Sequence, residues 1–172
     1  MSDSALHSVR QLHDQVDAQV RELERHHAQR LQCRSGCASC CIDDITVFEV
    51  EAERIRAALS KGAVELGAAH PEGACAFLDP ADQTCRIYAQ RPYVCRTQGL
   101  PLRWIDQHTE SQIIEHRDIC ALNDAGRPIT ELDQAECWTL GPFEGKLASL
   151  QIIHRSELAR ISLRSLFEEL SP

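Results

Sequence analysis

Between residues 4 and 31 one face of the chain repeats every three or four positions. Val9, Leu12, Val16, Val20, Leu23, His27 and Leu31 form this stripe, while Arg, Asp, Glu and Gln fill the remaining faces. With no Pro or Gly in the stretch, the period predicts one amphipathic helix packed on a core. The alternative use of such a stripe is a partner helix, from another protein or a second copy of this chain. Further on, "ITVFEVEAERIRAALSKG" predicts a short extended segment and then a helix closed by Gly62. Residues 62–74, with Gly62, Gly67, Pro71 and Gly73, read as a connector.

Patterning weakens beyond this point. "CAFLD" suggests a short strand or extended segment and "PADQT" a turn, and "CRIYAQRPYVCR" suggests two helical turns broken at Pro92, which drives Arg91 out of the helical region. Residues 98–119 have no clear period and predict no element. Thr130 opens "TELD", an N-cap pattern with Asp133 at its third position. Gly141-Pro142 starts a helical region running to about Leu170, divided at Ser156. The expectation is a mainly α fold with few or no short strands, in one domain of residues 1–172. Within it, 1–32 form the N-terminal helix, 33–120 an irregular cysteine-rich centre organised by metal, and 121–172 the C-terminal helices.

Composition narrows the function. At 172 residues the chain can bury a core without staples. A net charge of −8 and 5% aromatic residues argue against nucleic acid, which needs clustered cations and stacking platforms, and against acidic membranes. The first residues, "MSDSALHSVRQLHDQV", have no apolar run of signal-peptide type, and no apolar run elsewhere approaches a membrane span. A reducing, cytoplasmic compartment is the expectation. Stable disulfides are rare there, and nine cysteines cannot all pair within one chain.

Four of the nine stand in "CRSGCASCC": Cys33, Cys37, Cys40 and Cys41. Cys75, Cys85 and Cys95 follow at ten-residue steps, and Cys120 and Cys137 come last. Gaps of two and three residues let a turn bring two sulfurs to one ion. A helix over 33–41 would also put the four on one face, although Ser35 and Gly36 weigh against it. Buried free cysteine acts as a small hydrophobe, which suits Cys137, placed in a helical segment beside Trp138. It does not suit four clustered thiols, which gain nothing in packing over Ala or Val. Adjacent Cys40 and Cys41 point in different directions in most backbones, so they suit a multinuclear arrangement, or one ligates while the other packs. Thiolates select zinc, iron–sulfur clusters or Cu(I). Arg34, Arg86 and Arg96 each follow a cysteine, where a cation would offset thiolate charge. His26, His27 and His116 are further candidate ligands, with packing or capping as the commoner role.

The quartet, taken with "CAFLDPADQTCRIYAQRPYVCR", resembles the CxxCxxCC family of zinc- or iron-chelating domains, also called YkgJ-like cysteine-cluster proteins. Cys75, Phe77, Leu78, Asp79, Cys85, Ile87, Tyr88, Arg91, Pro92 and Cys95 stand where that family has its second block. The gap of three between Cys33 and Cys37 departs from the two in the family label. The resemblance implies metal binding and, since relatives include flagellin lysine N-methylases, allows methyl transfer by analogy.

Four functions compete on these residues. The first is a metal-binding protein holding zinc or an iron–sulfur cluster through Cys33, Cys37, Cys40, Cys41, Cys75, Cys85, Cys95 and Cys120. The second is an enzyme of iron–sulfur redox chemistry or protein lysine methylation, with a pocket at Asp79, Tyr88, Arg91 and Arg96. The others are Cu(I) storage or delivery, and a thiol redox switch.

Overall fold

The computed structural model describes residues 3–109 and 112–171. Helix α1 (Asp3–His26) carries the predicted stripe, with Val9, Leu12, Val16 and Val20 buried. Each such side chain contributes about 1.5–3 kcal/mol when removed from water. The stripe therefore packs inside the chain's own core. The helix ends at His26, short of the expected residue 31, because tertiary bonds claim the next turn: the buried His27 donates from Nε2 to the Glu136 carbonyl at 2.6 Å, and Arg30 donates to the Ala125 and Arg127 carbonyls.

Strand β1 (Thr46–Phe48) runs straight into α2 (Glu49–Ser60), and Gly62 at φ +67° follows the helix, as the sequence predicts. Near the other end, α4 (Pro142–Arg155) stops at Ser156, whose left-handed φ of 62° turns the chain. Strand β5 (Arg160–Ser162) then pairs antiparallel with β1, and α5 (Leu163–Leu170) follows, capped by the Ser162 hydroxyl accepting from the Ser165 N–H.

The strand content exceeds the expectation. β2 (Leu102–Thr109) and β3 (Gln112–Asp118) form an antiparallel hairpin inside residues 98–119, and β2 also pairs in parallel with β4 (Trp138–Thr139). Both faces of the hairpin are part solvated: Ile105 and Ile113 are exposed on one, while Trp104 and His116 stack at 5.2 Å on the other. No clean alternation results, so the sequence pattern hides it. Its hold is cross-strand: Arg103 pairs with Glu115 at 2.8 Å and donates to Thr139 at 3.1 Å.

Three local expectations are corrected. The helical cap lies at Asp133, not Thr130, in a reciprocal capping box with Glu136 around the 3-10 turn Gln134–Glu136. Cys137 follows that turn in extended conformation instead of sitting in a helix. "CAFLD" makes a turn and a single bridge, Leu78 to Cys85, in place of a strand.

Two apolar clusters form. One joins α1, α4, Tyr93 and Trp138, and the other joins α2, α5, Phe77, Leu78 and Ile87. Phe48 and Val50 face the first, while Val47, Ala52 and Ile55 face the second, so β1–α2 is the wall between them.

Candidate metal centre

The first cysteine quartet is built of turns. The Cys37 N–H donates to the Arg34 carbonyl and the Cys41 N–H to the Ala38 carbonyl, both at 2.9 Å, with Gly36 at φ +81° between them. The helical alternative for 33–41 is thereby excluded. Cys41 then meets the second block directly, its carbonyl accepting from the Cys75 N–H at 2.9 Å. Asp79 to Thr84 turn the chain back so that Cys85 pairs with Leu78 in an antiparallel bridge, and Arg91-Pro92 places Cys95 on the short helix α3 (Tyr93–Arg96).

Four thiols share one surroundings. Cys75 belongs to the Phe77–Phe167 cluster, and Cys41, Cys85 and Cys95 pack against it. Cys40 lies at the edge, hydrogen-bonded to Cys41, and that bond with burial drives the Cys40 thiol far above its ordinary pKa. Burial pushes Cys75 up to about 11 and raises Cys85 and Cys95, while the charges of Cys75 and Cys85 raise Cys95 further. Against this stand two kinds of donor. The Cys75 and Cys85 sulfurs each accept the N–H two residues on, from Phe77 and Ile87. Arg91 favours the thiolates of Cys40, Cys85 and Cys95, and Arg164 that of Cys75. A proton-bearing thiol is what this apolar site favours; a cation held there would supply positive charge and favour the thiolate.

A second group lies to one side. The Cys120 sulfur is 3.8 Å from the Ser39 hydroxyl, next to Cys40, and the exposed Cys33 accepts from Asn123 Nδ2 at 3.4 Å. Cys37 is half-buried. The buried Cys137 stands apart, 4.0 Å from Arg117, with its pKa raised by burial. All nine cysteines, which are all among the described residues, are free thiols. Among the described residues no three His, Cys, Asp or Glu side chains are gathered closely enough to hold a metal ion. The donor chemistry thus fits a thiophilic ion, and Cys41, Cys75, Cys85 and Cys95 share one apolar cluster, but the thiols do not form a closed coordination shell.

Two arginines following cysteines have other work. Arg86 pairs with Asp79 at 3.2 Å and donates to the Ala68 carbonyl, and the buried Arg96 pairs with Asp17 at 2.6 Å and donates to the carbonyls of Ala89 and Arg91. Arg34 is exposed. What holds Cys95 from behind is a buried network: Glu51 accepts from the Tyr93 N–H at 2.7 Å and from His13 at 2.8 Å. Arg54 donates to His13 Nδ1, which leaves the His13 proton on Nε2 facing Glu51. His13, Glu51 and Arg164 escaped the sequence reading; a polar residue at i+4 from Val9, inside the stripe, was the available signal for His13.

The candidate histidines have partners of their own. His26 meets Glu136 at 2.8 Å, His27 its carbonyl, and His116 lies 3.1 Å from Asp106. Of the residues proposed for an enzyme pocket, Tyr88 is exposed with the Arg91 guanidinium 3.7 Å from its ring centroid. None of Asp79, Tyr88, Arg91 or Arg96 lines either of two clefts, of about 510 and 340 Å³, that flank the end of α1. No helix of the described residues is long and apolar enough to cross a membrane.

Comparison with known proteins gives one match. Residues 32–121, just over half of the chain, match the CxxCxxCC family, described as a "putative zinc- or iron-chelating domain". No curated protein and no solved structure matches the chain. The matched span begins one residue before Cys33 and ends one after Cys120, so it takes in both thiol groups and leaves out Cys137: the chain belongs to the CxxCxxCC family.

Proposed function

We propose that the protein chelates zinc or iron through thiolates of Cys33, Cys37, Cys40, Cys41, Cys75, Cys85, Cys95 and Cys120, and that the ion organises the irregular centre of the fold. The observation that carries this reading is the sharing of one apolar cluster by Cys41, Cys75, Cys85 and Cys95, which come from the first quartet, the turns around Leu78 and the short helix α3. Bound there, the ion supplies fixed positive charge and a cross-link among three loops. The chain's own residues do the rest. Phe77 and Ile87 offer N–H groups to the Cys75 and Cys85 sulfurs, Arg91 and Arg164 offset the thiolate charge, and the apolar wall excludes water. Free thiols in this number suit a reducing compartment such as the cytoplasm.

Purification without air, followed by elemental analysis and an assay for acid-labile sulfide, tests the reading. Stoichiometric zinc in colourless protein, or iron with sulfide in brown protein, supports it and identifies the ion. Protein prepared this way that contains and takes up neither metal overturns it. The structural role is tested by circular dichroism during chelation. An unchanged spectrum and melting temperature with the metal gone removes that role, because a structural zinc contributes about 10 kcal/mol or more of folding free energy.

A further inference from the structure

Asn123 lies two residues beyond the matched segment and is fully buried. Its side chain has three partners on two separate stretches of chain. Oδ1 accepts the Gln32 N–H at 2.7 Å, and Nδ2 donates to the Gly99 carbonyl at 2.8 Å and to the Cys33 sulfur at 3.4 Å. Its own N–H donates to the Cys120 carbonyl at 2.7 Å. The same sulfur rests on Gly99, which has φ +91°; a methyl group there would lie 2.6 Å from it.

We propose that Asn123, seated on Gly99, is the positioning residue that fixes the Cys33 sulfur and brings Cys33 beside Cys120 at the metal centre. The proposal rests on the chelation reading above for its metal, while the contact itself belongs to the chain alone. The chemistry demands an amide at this position. One end must accept a backbone N–H and the other must donate twice, which Asp cannot do and a hydrophobe of equal size cannot do at either end. Gly99 is the matching half of the cradle, since any Cβ would push the sulfur away.

Asn123→Asp keeps the acceptor for Gln32 and removes the donor to Cys33; Gly99→Ala keeps the amide but sets a methyl group 2.6 Å from the sulfur and 3.2 Å from Nδ2, which displaces the sulfur from its seat. Each variant is loaded with Co(II), and its sulfur-to-cobalt charge-transfer band and rate of cobalt release to EDTA are compared with wild type. Iodoacetamide labelling of Cys33, read by mass spectrometry against Cys37 as internal control, is followed in metal-free protein. Asn123→Asp is expected to alter the band, speed release about tenfold, and change the Cys33-to-Cys37 labelling ratio about threefold, as the sulfur loses the donor that seats it on Gly99. A role in stability alone lowers the melting temperature but leaves the Cys33-to-Cys37 labelling ratio unchanged. Wild-type band, release and labelling ratio in folded Asn123→Asp overturn the proposal, as do the same results in Gly99→Ala should Asn123→Asp fail to fold. If wild-type protein takes up no cobalt, zinc or iron, the chelation reading fails and with it the positioning of a ligand; an altered labelling ratio then shows that the cradle itself still stands.

Discussion

The backbone N–H of Cys75 donates to the carbonyl of Cys41 at 2.9 Å, joining two cysteine blocks separated by the whole of α2. The junction is locked from outside by Arg164 of α5. Its guanidinium pairs with Asp43, two residues past Cys41, at 2.6 Å, and donates to the carbonyl of Ala74, one residue before Cys75, at 2.8 Å. The Asp43 carboxylate also accepts the Gly73 N–H at 2.5 Å. A C-terminal helix outside the matched segment thus holds the two blocks together.

Removing that lock is expected to loosen the ion. Arg164→Leu should speed metal release to a chelator about tenfold, the usual penalty for losing a group that orients a ligand. Arg164→Lys should recover only part of this, since one ammonium cannot bridge Asp43 and several carbonyls as a planar guanidinium does. Release rates of the two variants beside wild type check the prediction.

Cysteine substitutions should divide sharply. Serine at Cys75, Cys85 or Cys95 is expected to lower the metal content of purified protein to well below stoichiometric, as a neutral hydroxyl oxygen is a poor substitute for thiolate toward a thiophilic ion. Cys137→Val should leave metal content unchanged, because Cys137 lies in a separate place beside Arg117. Elemental analysis of the four variants decides.

The apolar wall of the centre is also its scaffold. Phe77, fully buried, meets Phe167 edge-on at a centroid distance of 5.2 Å. Phe77→Ala should destabilise the protein by about 3–5 kcal/mol, measured by denaturant unfolding of the metal-loaded protein. A loss below about 1 kcal/mol would mean the site collapses around the gap.

Acid should act through His13. Burial is the largest influence on it and holds its pKa below the ordinary 6.5, more than offsetting the hydrogen bond it donates to Glu51. The unfolded chain therefore binds a proton at a pH where folded His13 does not, so its contribution is complete above pH 6.5 and is lost as pH falls below that value. His13→Gln should flatten the fall in stability between about pH 6.5 and 5. Thiol protonation acts equally on both proteins and cancels in the difference. Identical slopes for wild type and variant would refute the assignment.

Much of the backbone was readable in the sequence where a local rule governs it. The stripe of α1, the β1–α2 junction, the Pro92 break and the Ser156 division all follow from period, Pro geometry or a left-handed turn residue. The hairpin at 102–118 was not, because its stability comes from cross-strand pairs and from β4, twenty residues further on, while both its faces stay part solvated. The cap at Thr130 failed for a related reason. Asp133 and Glu136 complete a capping box that Thr130 cannot match, and Glu136 also receives His26 and Arg127.

The sequence by itself determined which side chains carry thiol donors and where the chain turns beside them, since the turns at Gly36 and Pro92 act within a few residues. Only the tertiary structure decided which distant cysteines share one apolar cluster and which cations face them. Arg91 and Arg164 do so, while Arg86 and Arg96, adjacent to cysteines in sequence, are taken by Asp79, Asp17 and backbone carbonyls. The physical reason is loop closure. Bringing Cys41, Cys75 and Cys95 together costs chain entropy that no local motif recovers, and it is offset by burying Phe77, Leu166 and Phe167 where α5 packs against the cysteine loops.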